Sequence, residues 1–249
     1  MKCIYVSTYL SLSITMGWGI SSPSQAQIPS ADIIQLAGRP SNVGHPREGT
    51  RRGGGSRGGV CDLPANVPSL TALMPDTSTW VEDVTDEATE VVFSFTNRAM
   101  PDVWFYLPYS LVASSRVAFT LKDTSGDTLR RTQLDTTGEM PTRPSIIRVS
   151  LAELDLSLSP ATDYHWYLTV YCESGPPISV DGWINYQPDN SLEQSRGQFL
   201  VDTLSVLADH QFSSPDNDVT QPAWRELLES IGLEDITDAP LVNCCSFVE

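Results

Sequence analysis

The stretch Leu158-Ser159-Pro160-Ala161-Thr162-Asp163-Tyr164-His165-Trp166-Tyr167-Leu168-Thr169-Val170 decides the fold. A Leu and a Pro lead into a Thr, then a Tyr, and then a run in which apolar residues recur at every second position. This is the pattern of a tyrosine corner. The ring of Tyr164 packs into a core, and its hydroxyl reaches back to the upstream backbone where the chain crosses between two sheets. Period-two alternation turns Tyr164, Trp166, Leu168, Val170 and Cys172 inward. His165, Tyr167, Thr169 and Tyr171 then face out or toward a second layer. The expectation is an Ig/fibronectin-like β-sandwich.

Neighbouring segments agree with it. Glu90 to Phe95 and Ile146 to Leu151 read as strands, and Val103 to Leu107 is apolar on both faces, as in a well-covered strand. Arg116 to Lys122 alternates cleanly, Asp123 to Asp127 has turn chemistry, and Thr128 to Leu134 returns as the second arm of a hairpin. Ile178 to Tyr186 supplies a last strand. Residues 60–80, punctuated by Pro64, Pro68 and Pro75, read as extended or irregular. Beyond Pro188 the period lengthens. Leu192, Phe199, Leu200, Thr203, Leu204 and Leu207 share a helical face, with Asn190 or Ser191 as N-cap. A second helix runs from an N-cap at Thr220 to Ile231, with Trp224, Leu227, Leu228 and Ile231 as its stripe. Gly232 ends it in the left-handed conformation and Leu233 folds back. The chain is therefore mainly β with a small α part: a sandwich over 60–187, then a C-terminal segment of two amphipathic helices over 188–249 packed on it.

The first 26 residues read as an export signal. Lys2 precedes an uncharged apolar stretch, and Ser24-Gln25-Ala26 offers small residues for cleavage. Residues 27–59 are rich in Gly, Pro and Arg and read as a flexible linker, with Arg51, Arg52 and Arg57 as a basic tether. No later segment is apolar enough to span a bilayer. The formal net charge of −16 at pH 7 argues against nucleic-acid partners. Cys61, Cys172, Cys244 and Cys245 follow the signal. Outside the cytoplasm they would be oxidised, and Cys61–Cys172 is the first pairing to expect among three connectivities.

The same residues carry a resemblance. It runs through the Arg51-to-Gly59 stretch with Cys61, Leu70-Thr71-Ala72-Leu73-Met74-Pro75 and Val103-Trp104-Phe105-Tyr106-Leu107-Pro108-Tyr109-Ser110. It continues through Tyr164-His165-Trp166-Tyr167, Asp181-Gly182-Trp183-Ile184, and Trp224 to Leu241. On these segments the chain resembles a family of exported cyanobacterial proteins known as a domain of unknown function, family number nine-two-eight. Residues 190–210 depart from the family's pattern, which carries an aromatic-rich helix there. The resemblance implies export and a shared fold, and assigns no activity.

Candidate chemistry is sparse. Gly54-Gly55-Ser56-Arg57-Gly58 spells a nucleophile elbow, but no strand precedes it, so a linker is the better reading. His45, His165 and His210 have no Cys or His at metal-ligand spacing. Asp123, Ser125 and Asp127 fall short of a calcium loop. No catalytic residue, metal or cofactor is expected. Aromatics remain: Tyr109, Tyr167 and Tyr171 are the outward candidates for a face that binds a sugar or an apolar partner. The function expected is a non-enzymatic binding module of the envelope or extracellular space, acting on a protein or polysaccharide. The alternatives are a hydrolase with a carboxylate pair and a structural subunit cross-linked through its cysteines.

Overall fold

The structure is a computed structural model and describes residues 49–53, 66–75, 92–109, 116–134, 141–171, 176–188, 199–213, 220–242 and 247–248. The segment read as an export signal, Arg57 and the four later cysteines, with the expected Cys61–Cys172 pairing, lie outside the described residues.

Among the described residues nine strands and two α-helices follow in order: β1 (Thr71–Ala72), β2 (Phe93–Thr96), β3 (Asp102–Leu107), β4 (Arg116–Lys122), β5 (Thr128–Leu134), β6 (Ser145–Ser150), β7 (Asp163–Tyr171), β8 (Ile178–Tyr186), α1 (Leu200–Ser213), α2 (Thr220–Ser230) and β9 (Phe247–Val248). They form a three-stranded sheet β1-β3-β6 and a six-stranded sheet β2-β8-β7-β4-β5-β9. With β1, β3 and β6 as strands A, B and E, and β8, β7, β4 and β5 as G, F, C and C′, this is the arrangement of an immunoglobulin-type sandwich. β2 is the exception to antiparallel pairing: it runs parallel to β8, matching Phe93 with Trp183 and Thr96 with Tyr186.

The tyrosine corner forms as its sequence requires. Tyr164 is buried, and the backbone N–H of Ser159 donates to its hydroxyl at 3.0 Å. Along β7 buried and half-buried residues alternate without a break. Trp166 fills the core against Phe105, edge to face at 5.4 Å. That close packing fixes a residue on the next strand. A Cβ on Gly182 would lie 2.5 Å from the Trp166 ring and 2.9 Å from the Val92 carbonyl oxygen, so β8 has room there for glycine alone.

β3 is buried along its whole length because it is covered twice. Val103, Phe105 and Leu107 join the core between the sheets, while Trp104 and Tyr106 join a second core under the helices. In that second core Trp104 meets Trp224 of α2 edge to face at 6.4 Å, and its indole N–H donates to Ser205 of α1 at 3.1 Å. The molecule is thus layered: six-stranded sheet, three-stranded sheet, helices.

α2 ends as its sequence predicts. Gly232 has φ +70°, its N–H reaches the Glu229 carbonyl, and the N–H of buried Leu233 reaches that of Leu228. Other helix termini differ from expectation. α1 begins at Leu200, with its first backbone bond from Thr203 to Phe199; the expected caps Asn190 and Ser191 lie outside the described residues. Thr220 starts α2, but among the described residues its buried hydroxyl has no hydrogen-bond partner and gives no side-chain cap. Asp202, in the first turn of α1, instead accepts the N–H of Asn97 and the hydroxyl of Thr96, both at 2.7 Å, and so pins the helix to the end of β2.

The largest correction concerns the N-terminal arginines. Residues 49–53, read from sequence as part of a linker, are docked across the open side of the sandwich. Thr50 pairs with Asp181 of β8 and Arg52 with Thr71 of β1, so this short segment is bonded to both sheets. Arg51 and Arg52 are therefore not a tether. Arg51 is buried and donates to the carbonyl of Ile231 at the end of α2, where a cation also suits the helix dipole. Arg52 makes a two-pronged contact with Asp235 at 2.6 and 2.8 Å. The pair forms a clasp holding the C-terminal helices to the sheets. The sequence concealed it because its polar partners lie about 180 residues away.

Candidate functional site

The three-stranded sheet spends both faces on packing. The six-stranded sheet buries one; on its other face Phe93 and Phe95 at the β2 edge are buried with Trp183 and Phe199 against them, and beyond that edge the face gathers side chains that retain chemical reach. Cross-strand register explains how. β7 and β8 place His165 opposite Trp183 and Tyr167 opposite Asp181. β4 and β7 place Arg116 opposite Tyr171, Thr120 opposite Tyr167 and Lys122 opposite His165. Because side chains alternate with period two, these residues share the outward face.

At its centre the imidazole of His165 lies stacked on the indole of Trp183, centroids 4.1 Å apart and planes at 19°. It is hydrogen-bonded at both nitrogens: Nε2 to the Asp181 carboxylate at 2.8 Å and Nδ1 to the Tyr167 hydroxyl at 2.8 Å. The carboxylate only accepts, so Nε2–H donates to it, and in the neutral imidazole Nδ1 then accepts from the phenol. Burial, and then the negative charge of Asp181, push the Tyr167 phenol above its ordinary pKa, so it stays protonated and keeps that bond. Both imidazole nitrogens are thus committed within the cluster. The arrangement makes an ordered aromatic platform with polar edges.

Toward β5 the face becomes cationic. Arg116 stands over the Tyr171 ring at 5.1 Å, and Arg131 of β5 donates to the Tyr171 hydroxyl at 2.6 Å. Lys122 lies 5.2 Å from the centre of the Tyr167 ring. These are cation–π distances.

Tyr167 and Tyr171 therefore come together on one face. Tyr109 does not join them. It follows β3, packs half-buried against the inter-sheet core, and its phenol is pushed up by that burial. The sequence offers it as an outward candidate because an aromatic beyond a strand end has no alternation to assign its side. His165, Trp183, Asp181, Arg116, Lys122 and Arg131 were not named as site residues from sequence. Continuing the alternation of β7 onto its neighbours would have found them. Among the described residues no group of three or more His, Cys, Asp or Glu is placed to hold a metal ion, and no helix is long and apolar enough to cross a membrane.

Over residues 52–241 the chain matches the model of a protein family described as Domain of Unknown Function (DUF928). No curated protein and no solved structure matches it.

Proposed function

The chain belongs to the DUF928 family, and we propose that it is a non-enzymatic binding module of the envelope or extracellular space whose contact surface is the outward face of the six-stranded sheet. One observation carries the reading: the stack of His165 on Trp183, locked by Asp181 and Tyr167. Rigid aromatic groups that are already ordered lose little entropy on binding, and their polar edges supply direction.

The test is retention. The full chain is immobilised and offered envelope extract separated into protein and polysaccharide fractions, beside the double variant Tyr167→Ala/Trp183→Ala. The native chain should hold one component that the variant releases, while both give the same circular dichroism. Equal retention by both, or by neither, contradicts the proposal.

A further inference from the structure

Charge on the outward face runs against the rest of the molecule. The chain as a whole carries a formal net charge of −16. Yet Arg116, Lys122 and Arg131 stand on neighbouring strands of this one face, and none of the three forms an ion pair among the described residues. Their partners are instead the rings and hydroxyls of Tyr167 and Tyr171. Two carboxylates close by in register or sequence are engaged elsewhere: Asp181 is held by His165, and Asp123 accepts the N–H groups of Ser125 and Asp127 within its turn. Arg116 and Arg131 are exposed and Lys122 is half-buried. In an acidic protein these are the cations that would most readily have found a carboxylate, and they are presented on tyrosine instead.

We infer that the face binds an anionic polysaccharide, a chain of sugar rings bearing carboxylates. The inference rests on the binding-module reading above and names its ligand class. Flat apolar sugar faces stack on Tyr167, Tyr171 and Trp183, while the acid groups pair with the two guanidinium groups and the ammonium. Arg116 and Lys122 are six residues apart along β4, roughly 20 Å at strand rise, a span of several sugar units. The acidic remainder of the molecule repels such a polymer, so it can settle only here. That gives a distinctive salt dependence. At low salt the whole negative body acts over roughly 30 Å and opposes binding. Near 0.1 M the range shrinks to about 10 Å and only the basic patch is felt, and above about 0.5 M the patch itself is screened. Affinity therefore peaks at intermediate ionic strength.

The experiment is calorimetric titration of the full chain with an oligogalacturonate, a neutral cello-oligosaccharide and poly-glutamate, at three salt concentrations. The expected result is binding of the oligogalacturonate, at least tenfold tighter than either other ligand and tightest at the middle concentration. Arg116→Gln/Arg131→Gln should lose at least tenfold, and Lys122→Gln alone a smaller share, both with unchanged melting temperature. If the double variant fails to fold, Lys122→Gln and the ligand comparison decide. A cello-oligosaccharide bound equally well overturns the anionic ligand but leaves the binding face standing. Poly-glutamate bound equally well overturns the sugar. No binding of any of the three overturns this inference alone, while the fate of the binding-module reading is decided by the retention experiment.

Discussion

The two sheets of the sandwich share one core and differ in what their other faces do. β3 and β6 carry Trp104, Tyr106 and Ile146 on the side away from that core, and α1 and α2 close over them. β7, β8 and β4 carry His165, Tyr167, Tyr171, Asp181 and Arg116 on the corresponding side, half-buried or exposed. Both outer faces are rich in aromatics, so aromatic content alone does not tell packing from recognition. The difference lies in the partners. Trp104 meets another Trp and gives its indole N–H to a buried Ser. Trp183 meets a His whose edge bonds are polar. One face is built to be dry, and the other to stay ordered while wet.

Substitutions can break or sharpen that contrast. The largest effect is expected at Trp104→Ala, which empties the helix-covered core and should cost about 3–5 kcal/mol in urea denaturation. Trp183→Ala, on the other sheet, should cost only about 1 kcal/mol, the scale of a cross-strand pair. Equal losses at the two positions would show that both faces are packed alike. Arg51→Met keeps apolar volume but removes the charged hydrogen bond to the end of α2. It should cost about 2–3 kcal/mol, with hydrogen exchange rising first in α2. Exchange rising uniformly would mean that the clasp does not act on the helices in particular. Tyr164→Phe leaves the Ser159 N–H without its acceptor and should cost about 1–2 kcal/mol while leaving ligand retention intact.

How much of this was legible follows from what each element answers to. β4, β5 and β8 were legible to the residue, because each alternates against one core and is bounded by turn residues. The double coverage of β3 was legible as a strand apolar on both faces. The Gly232 helix end was legible because it is a local backbone event. By contrast β1 has two residues, and β9 two more, too few for any period to show. Residues 49–53 resembled a linker because glycines and arginines have no periodicity. Their structure comes from distant strands and from Ile231 and Asp235. Of the candidate site, Tyr167 and Tyr171 alone were visible. The His165–Trp183 stack depends on the register of β7 against β8, which no single strand states.

The smallest expected effects are in pH. The Arg52 guanidinium beside Asp235 holds its carboxyl below the ordinary value of 3.8. That clasp contributes stability present above 3.8 and lost as the pH falls through the lowered value, and Asp235→Asn should remove this acid sensitivity. Burial pushes Asp202 the other way, above 3.8, despite the hydrogen bonds from Asn97 and Thr96. Its contribution is complete below 3.8 and lost as the pH rises through the raised value, so Asp202→Asn should flatten the decline on the alkaline side. Urea midpoints of native and variant chains across pH 3 to 7 would separate the two, as linear extrapolation permits; identical native and variant curves would contradict both assignments.

The most direct test of the contrast between the faces is the indole N–H spectrum of the tryptophans during titration with an oligogalacturonate. Trp183 is half-buried on the outward face of the six-stranded sheet, beside Phe93 and Phe95, whereas Trp104 and Trp224 lie fully buried under the helices. The signal of Trp183 should move with ligand concentration and saturate, while those of Trp104 and Trp224 hold still. Movement of Trp104 and Trp224 with Trp183 unchanged would place recognition on the helical side and contradict the account.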